Sequence, residues 1–287
     1  MTEVSRSTSR FLKLAGLMMP LCMAPTAHLS AQSSLADICT LLGIANVDVS
    51  SDVQFQRRRV TPGRWVFGSG EKFDYVYIVI SGFLKTLLLD EDGNEQILSF
   101  ALKGDLLGID GLHSGVYPSQ AVALTESELI AIPFSDLAKL AHQYSAIETW
   151  FYRAISRELA LEHTVVGILG TLGAEVRVAR FLVSLSARFE MLGDSPTQFN
   201  LNMTRQEIGS YLGLTLETVS RALSALNDAG LISINQRAVT LKNIEALRAL
   251  KKLPTGAKLF RTDACKANRG ASAKKDHSIW SSLVVGV

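Results

Sequence analysis

The sequence is poor in the residues on which disulfide-linked domains and most enzymes depend. It has three cysteines, Cys22, Cys39 and Cys265, in 287 residues, and we expect them to be reduced and unpaired. No nucleophile–base pair, metal-ligand motif or phosphate-binding loop occurs in the sequence. The chain is therefore predicted not to be an enzyme.

The chain also has little net charge, +2, but the charge is unevenly distributed. Residues 51–170 contain 10 basic and 15 acidic side chains, whereas residues 171–253 contain 10 basic and 7 acidic ones. The last part, residues 254–287, contains 6 basic and 2 acidic side chains. The carboxyl-terminal half therefore suits a polyanionic partner better, although this difference alone does not establish one.

Two short helices joined by a tight turn are predicted from residue 204 onward. Thr204 and Glu207 form a capping box at the start of the first helix, and Gly213 supplies the left-handed turn that ends it. Thr215 is the predicted N-cap of the second helix. Apolar residues on both helices are expected to hold the pair together: Ile208, Leu212, Leu214, Val219 and Leu223.

The second helix has a polar face, because Glu217, Ser220 and Arg221 lie at positions i, i+3 and i+4. A β-hairpin is predicted after it, with strands at 231–234 and 238–241, and a last helix at 243–250. An ordinary amphipathic helix pair is the alternative for the two helices alone. The added hairpin is typical of a winged helix-turn-helix that reads DNA bases with this face.

Other residues of this unit are expected to contact the DNA backbone or to support the reading helix. They are Thr204, Arg205, Thr215, Thr218, Ser224 and Arg237.

Residues 203–241, with Leu-Gly-Leu-Thr-Leu-Glu-Thr-Val-Ser-Arg at their centre, resemble the DNA-binding domain of the CRP/FNR superfamily of bacterial transcription regulators. The Glu-x-x-Ser-Arg triplet is similar to that of the FNR branch, as are Ala174-Glu175 with Arg177 and the Gly-Asp-Leu-Leu-Gly of residues 104–108. The resemblance implies an α+β chain with a cyclic-nucleotide-binding-like β jelly roll, a long dimerisation helix and a C-terminal winged helix-turn-helix. The expected ranges are 1–50 for an N-terminal segment of uncertain structure, 51–140 for the β-barrel sensory domain, 141–170 for the dimerisation helix, 171–253 for the DNA-binding domain and 254–287 for a flexible basic tail.

Residues 60–135 independently predict an all-β domain, because short apolar runs alternate with Gly or Asp-Gly. The runs are 65–67, 75–80, 83–89, 96–100, 121–124 and 128–132. A hairpin tip is predicted between the third and fourth runs, at Glu91, Asp92, Gly93, Asn94 and Glu95. The resemblance implies that this tip contacts RNA polymerase, and a solvated turn is the alternative.

The resemblance also implies a ligand pocket, but the residues depart from the pattern that binds cyclic AMP. Members that bind this ligand use a Gly-Glu pair for the ribose and an Arg-Ser/Thr pair for the phosphate. Here Gly108 is followed by Ile109, and residues 116–120, Val-Tyr-Pro-Ser-Gln, contain no arginine. A buried phosphate without a guanidinium would be poorly compensated, so cyclic AMP is not the predicted effector.

The iron–sulfur cluster of the FNR branch is not predicted either. It requires four thiolates, whereas this chain has three cysteines, and Ile130 stands where the later family cysteine is expected. Haem is the alternative cofactor, with His113 and His163 as possible axial ligands. Such histidines are more often surface or core residues, so no cofactor is predicted.

Residues 147–169 predict the dimerisation helix. Four- and three-residue steps, the seam of a two-stranded coiled coil, connect Ile155, Leu159, Glu162, Val166 and Leu169. Ile147, Trp150 and Phe151 are expected to pack on the β-domain of the same chain. Two copies of Glu162 would repel each other across the seam unless they are protonated or solvated. Alternatively, Glu162 points to solvent or pairs with Arg157.

The apolar run of residues 11–24 follows three basic residues, and residues 27–31 are similar to a signal-peptide cleavage site. Pro20 and Cys22 interrupt this run, and a DNA-binding domain argues against export. Two interpretations of this segment remain. Either the sequence begins at a translation start upstream of the native one, or the N-terminal segment lies against the β-domain. We predict a cytoplasmic protein that does not contact the membrane.

The predicted function is that of a homodimeric transcription regulator that binds double-stranded DNA. The resemblance implies a palindrome of the TTGAT-N4-ATCAA type, in which Arg221 reads a guanine. A haem-based gas sensor of the same superfamily is one alternative. A ligand-binding module without transcriptional output is the other, and it would leave the polar face of the second helix without a purpose.

Overall fold

A computed structural model describes residues 29–45, 53–90, 92–171 and 173–251. The amino-terminal part forms a β-sandwich of two antiparallel sheets, one with strand order β1-β2-β9-β4-β7 and the other with order β3-β8-β5-β6. The strands are β1 (Leu29–Ser34), β2 (Gln54–Val60), β3 (Trp65–Phe67), β4 (Tyr75–Ser81), β5 (Leu84–Leu89), β6 (Glu95–Ala101), β7 (Leu106–Leu107), β8 (Gln120–Ala123) and β9 (Ser127–Pro133). A 3₁₀ turn, Ile109–Leu112, lies between β7 and β8.

The six strands predicted from apolar runs are all present, and their ends differ from the prediction by at most one residue. Strand β2 was missed because its centre is Arg57-Arg58-Arg59, which hides the alternation. Only its ends, Phe55 and Val60, are buried. Its polar centre is stabilised by specific partners: the Arg58 guanidinium donates to the carbonyl oxygen of Val66 at 2.6 Å.

The described part of the N-terminal segment lies against this sandwich. Strand β1 pairs with β2, and helix α1 (Leu35–Leu42) follows at a capping box formed by Ser34 and Asp37. The buried side of α1 packs on Phe55 and its neighbours in the core between sheet and helices. The apolar run of residues 11–24 lies outside the described residues, while its cleavage-like sequence overlaps β1.

Two helices connect the domains, α2 (Phe134–Gln143) and α3 (Ser145–Thr171). Ile147, Trp150 and Phe151 of α3 pack on the same core as α1 and β9, as predicted. In the described part of the chain, no helix combines the length and the apolar character that a membrane span requires.

The carboxyl-terminal part is a winged helix-turn-helix, and its core joins helices and wing. Its elements are α4 (Ala174–Met191), β10 (Gln198–Asn200), α5 (Arg205–Leu212), α6 (Leu216–Asp228), β11 (Ile232–Asn235), β12 (Ala238–Leu241) and α7 (Ile244–Ala249). The strands form one sheet in the order β10-β12-β11. Strand β10 was not predicted, since three residues are too few to show a period.

Candidate nucleic-acid interface

Helix α5 begins and ends as the capping residues predict. The Thr204 hydroxyl accepts from the Glu207 amide at 3.1 Å, while the Glu207 carboxylate accepts from the Thr204 amide at 2.7 Å. Gly213 ends α5 with φ of 61°, a left-handed conformation that favours glycine. Gly209 was not singled out by the sequence, yet an added Cβ there would lie 2.6 Å from the carbonyl oxygen of Leu214. Helix α5 and the turn that leads to α6 therefore approach too closely for any other residue at that position.

The two sides of α6 differ sharply in exposure. Val219 and Leu226 are fully buried against α4 and α5, and each contributes roughly 1.5–3 kcal/mol by leaving water. On the opposite side Glu217 and Arg221 are exposed and Ser220 is half-buried. The three predicted base-reading residues therefore lie together on the free face of the helix.

A short hydrogen-bond chain orients this face. The Arg221 guanidinium donates to the Thr218 hydroxyl at 3.3 Å, and that hydroxyl lies 3.0 Å from the hydroxyl of Thr215. The backbone amide of Glu217, the Thr215 side chain and the nearby charge of Arg221 lower the pKa of Glu217 below its usual value. Glu217 is therefore an acceptor at neutral pH, whereas the guanidinium of Arg221 offers only donors.

The two arginines that were predicted to contact the DNA backbone, Arg205 and Arg237, differ in their surroundings. Arg205 donates to the carbonyl oxygen of Gln236 at 2.9 Å, so it ties the start of α5 to the tip of the wing. Gln236 is held at φ of 53°, an uncommon conformation for a residue with a side chain. Arg237, next to it, is exposed at the wing tip, and Ser224 is exposed at the far end of the reading face.

The region where the resemblance implies a ligand pocket contains stacked aromatic side chains. The Tyr117 ring stacks on Phe67 with 4.2 Å between centroids, and its hydroxyl donates to the carbonyl oxygen of Tyr75 at 2.6 Å. Burial raises the pKa of Tyr117. A Cβ added at Gly108 would lie 2.9 Å from the Tyr117 ring, so this glycine makes room for the tyrosine.

The serine of this pocket has an internal partner. Ser119 is 2% exposed, and its hydroxyl donates to the Asp110 carboxylate at 2.5 Å. Ser119 lies in the segment that the resemblance compares with the phosphate-binding Arg-Ser/Thr pair, and its hydroxyl is bonded to a carboxylate of the same chain.

The side of α3 that carries the predicted dimer seam is largely exposed to solvent in the single chain. Leu159 is 51% exposed and Tyr152, one heptad earlier, is 60% exposed, while Ile155 is partly buried. Glu162 is exposed, and Arg157, its alternative partner, lies 4.0 Å from Asp105. Val166 and Leu169 belong to the helix, but their side chains are outside the described residues.

Glu158 on α3 was missed by the sequence analysis. Burial and the neighbouring Asp105 carboxylate raise its pKa. Such a residue looks like any polar position of a helix in the sequence, because its burial depends on the turn that carries Asp105.

The predicted hairpin tip is divided between a turn and a strand. The Asp90 carboxylate accepts from the amides of Asp92 and Asn94 at 3.0 and 2.8 Å, and Asp92, Gly93 and Asn94 are exposed. Glu91 lies outside the described residues. Glu95 belongs to β6, and its carboxylate lies 2.6 Å from the amine of Lys85.

The described residues do not fit a four-thiolate cluster. Cys39 is on the buried side of α1, 6% exposed among apolar side chains, and burial raises the pKa of its thiol. Cys22 and Cys265 are outside the described residues. His113 and His163 are both exposed, on separate elements. Within the described ranges, no three His, Cys, Asp or Glu side chains are grouped as a metal site would require.

The β-sandwich and the winged helix-turn-helix together define a DNA-binding transcription regulator of the CRP/FNR type. The family model of the Crp-like helix-turn-helix domain matches residues 176–250, and that of the cyclic nucleotide-binding domain matches residues 57–144. The chain belongs to the CRP/FNR family, as the resemblance predicted, and it is not an enzyme.

Relatives of known sequence and structure agree with this assignment. The chain is 39% identical to the transcriptional regulatory protein btr of Bordetella pertussis over 230 residues, 79% of this chain and 95% of that protein. It is 34% identical to the fumarate and nitrate reduction regulatory protein of Escherichia coli K12 over 219 residues, 76% of this chain and 88% of that protein. The structure of FixK2 from Bradyrhizobium japonicum matches with a TM-score of 0.62 and 31% identity, over 70% of this chain and 99% of that one. Regulators of this family bind DNA and act as dimers.

Proposed function

We propose that this regulator binds, as a homodimer, a palindrome of the TTGAT-N4-ATCAA type. The observation that carries the proposal is the exposed face of α6, on which Arg221 is oriented by Thr218 and Glu217 is anionic. A guanidinium of this kind pairs with O6 and N7 of guanine, and a carboxylate accepts from the amino group of cytosine. Ser220, half-buried between them, assists.

Dimerisation is supported by the open side of α3. Exposed Tyr152 and Leu159 would be covered by the same helix of a second copy. The two reading helices would then be held about one helical turn of DNA apart, as a palindrome with two half-sites requires. This function places the protein with the chromosome, in the cytoplasm.

The β-domain supports a regulator without cyclic AMP and without a resident cofactor. Tyr117 fills the pocket, and the Ser119 hydroxyl is already bonded to Asp110. Haem is not favoured, because both candidate histidines are exposed to water.

The exposed tip at Asp92, Gly93 and Asn94 is proposed to contact RNA polymerase, which would make the protein an activator.

A binding titration tests the proposal. Fluorescence anisotropy would compare a labelled palindrome with the same duplex in which the guanine of each half-site is changed. We expect the palindrome to bind at least about 10³-fold more tightly than unrelated DNA at the same salt concentration. Equal affinity for all three duplexes would refute sequence-specific recognition, and a complex containing one chain would refute the homodimer.

A further inference from the structure

Lys85, in β5, connects the β-domain to the helix-turn-helix. Its side chain is 9% exposed, and its amine lies 2.6 Å from the Glu95 carboxylate and 3.0 Å from that of Glu207. Glu95 is on the neighbouring strand β6, whereas Glu207 is in the first turn of α5. One ion pair is therefore internal to the β-domain, and the other crosses between domains.

Glu207 is also part of the capping box of α5. One of its oxygens accepts from the Thr204 amide at 2.7 Å, and the other faces Lys85 at 3.0 Å. Burial raises the pKa of Glu207, but the Thr204 amide and Lys85 outweigh burial and lower it below its usual value. Burial lowers the pKa of Lys85, and the hydrogen bonds to Glu95 and Glu207 outweigh that effect. Both groups are therefore charged at neutral pH.

One turn further along α5, Ser210 is bound to the same strand. Its hydroxyl donates to the carbonyl oxygen of Glu95 at 2.7 Å and accepts from the amide of Ile97 at 2.8 Å. The Gln96 side chain donates to the carbonyl oxygen of Ser210 at 2.7 Å. Beside these bonds, the rings of Phe100 and Tyr211 are 5.3 Å apart. Helix α5 is thus held by Lys85 of β5 at its first turn and by β6 at the next turn.

The position of α5 determines that of the reading helix. Gly209 of α5 and Leu214 are in backbone contact, since the Leu214 amide donates to the Gly209 carbonyl oxygen at 2.9 Å. The two helices also share a buried core that includes Ile208, Leu212 and Val219. A rotation of α5 against β6 would therefore carry α6 with it.

We propose that Lys85 is a positioning residue for DNA recognition: by holding Glu207 it fixes the angle of the reading helix to the rest of the chain and so sets the half-site spacing that the dimer accepts. This inference rests on the proposed palindromic binding. One additional base pair between half-sites turns one of them by roughly 35° about the DNA axis, so a rigidly held pair of helices accepts one spacing. Without the lysine, two carboxylates would face each other at the domain boundary and favour its separation.

The chain offers a matched control for the test. Glu95→Gln removes the charge partner of Lys85 within the β-domain and leaves the partner on α5. Glu207→Gln removes the charge on α5, while glutamine at this position still completes a capping box. Lys85→Met removes both ion pairs at nearly constant volume.

The first measurement is DNA affinity for palindromes with the N4 spacer, with spacers one base pair shorter or longer, and for a single half-site. We expect Lys85→Met and Glu207→Gln to lower affinity for N4 by about tenfold or more while other spacings change less than about threefold. Glu95→Gln should keep the wild-type preference. A uniform loss on every duplex, or an unchanged preference for N4, would overturn the inference. A wild type that does not bind the palindrome would instead refute the proposed function.

The second measurement needs no DNA. Spin labels are attached to cysteines introduced by Asp92→Cys and Ser224→Cys, and they report the distance between the hairpin tip and the reading helix. Cys22→Ser and Cys265→Ser prevent labelling at those two native cysteines. We expect a narrow distribution in the wild type and in Glu95→Gln, and a broad one in Lys85→Met and Glu207→Gln. Narrow distributions in all four proteins would overturn the inference, even if a variant has lost stability.

Discussion

The reading face of α6 and the pocket of the β-domain use polar side chains in opposite ways. On α6, Glu217 and Arg221 face water. In the pocket, Ser119 and Tyr117 are buried, and each hydroxyl donates to an acceptor of the same chain. Groups that face water can exchange it for DNA, whereas paired buried groups must break a bond to accept a ligand. The polar groups on α6 are therefore available to a partner, whereas those of the β-domain are already paired within the chain.

Replacing Arg221 by alanine should have the largest effect on the reading face. We expect a loss of roughly 1–3 kcal/mol per base contact, once in each half-site, with relaxed specificity and little change in salt dependence. Anisotropy titrations at several salt concentrations would measure both quantities. Arg237→Ala is the control, because an exposed wing arginine should weaken all sequences alike and reduce the salt slope. Preserved site preference in Arg221→Ala, with uniformly weaker binding, would show that Arg221 contacts phosphate.

Glu162→Leu tests the second open surface, the side of α3 with exposed Leu159. If Glu162 lies in the seam, the change removes paired negative charge and should stabilise the dimer by about 1–3 kcal/mol. Tighter binding to the palindrome should follow, since both reading helices must engage together. Sedimentation equilibrium measures the dimer, and Arg153→Leu, off the predicted seam, is the control. An unchanged or weaker dimer would mean that the seam follows another register.

Asp110→Ala probes the closed pocket. It deprives the buried Ser119 hydroxyl of its acceptor, which should lower the free energy of unfolding by about 1 kcal/mol. Urea denaturation measures this loss, and adding Ser119→Ala should recover part of it because both partners are then absent. Purely additive losses would indicate that the hydrogen bond between these two side chains contributes nothing.

Cyclic AMP should have no effect, the smallest expected result. A ligand raises the melting temperature only in proportion to its binding to the folded chain. With Tyr117 stacked on Phe67 and Ser119 bonded to Asp110, we expect the same melting temperature and the same DNA affinity at millimolar cyclic AMP. A rise in melting temperature would show that the pocket opens and that residues 116–120 hold a phosphate.

The sequence predicted the helix-turn-helix well because its signals are local. The capping box covers the four residues from Thr204 to Glu207, and the predicted reading triplet lies within the five residues from Glu217 to Arg221, so the helical period alone brings each set together. The apolar strands were predicted for the same reason. Strand β2 was missed because its arginines are stabilised by neighbours such as Ser33, distant in sequence, which no local period reveals.

The sequence by itself thus determined the family, the winged helix-turn-helix and which polar residues share one face of α6, because those depend on residues within one or two helical turns. Only the tertiary structure decided the partners of residues far apart in the chain. It pairs Lys85 with Glu207, fits Tyr117 against Gly108, and buries Cys39 of α1 against the β-sheet. Such pairs depend on how sheets and helices pack, and a lysine that will be buried between two carboxylates has the same letter as one that remains in water.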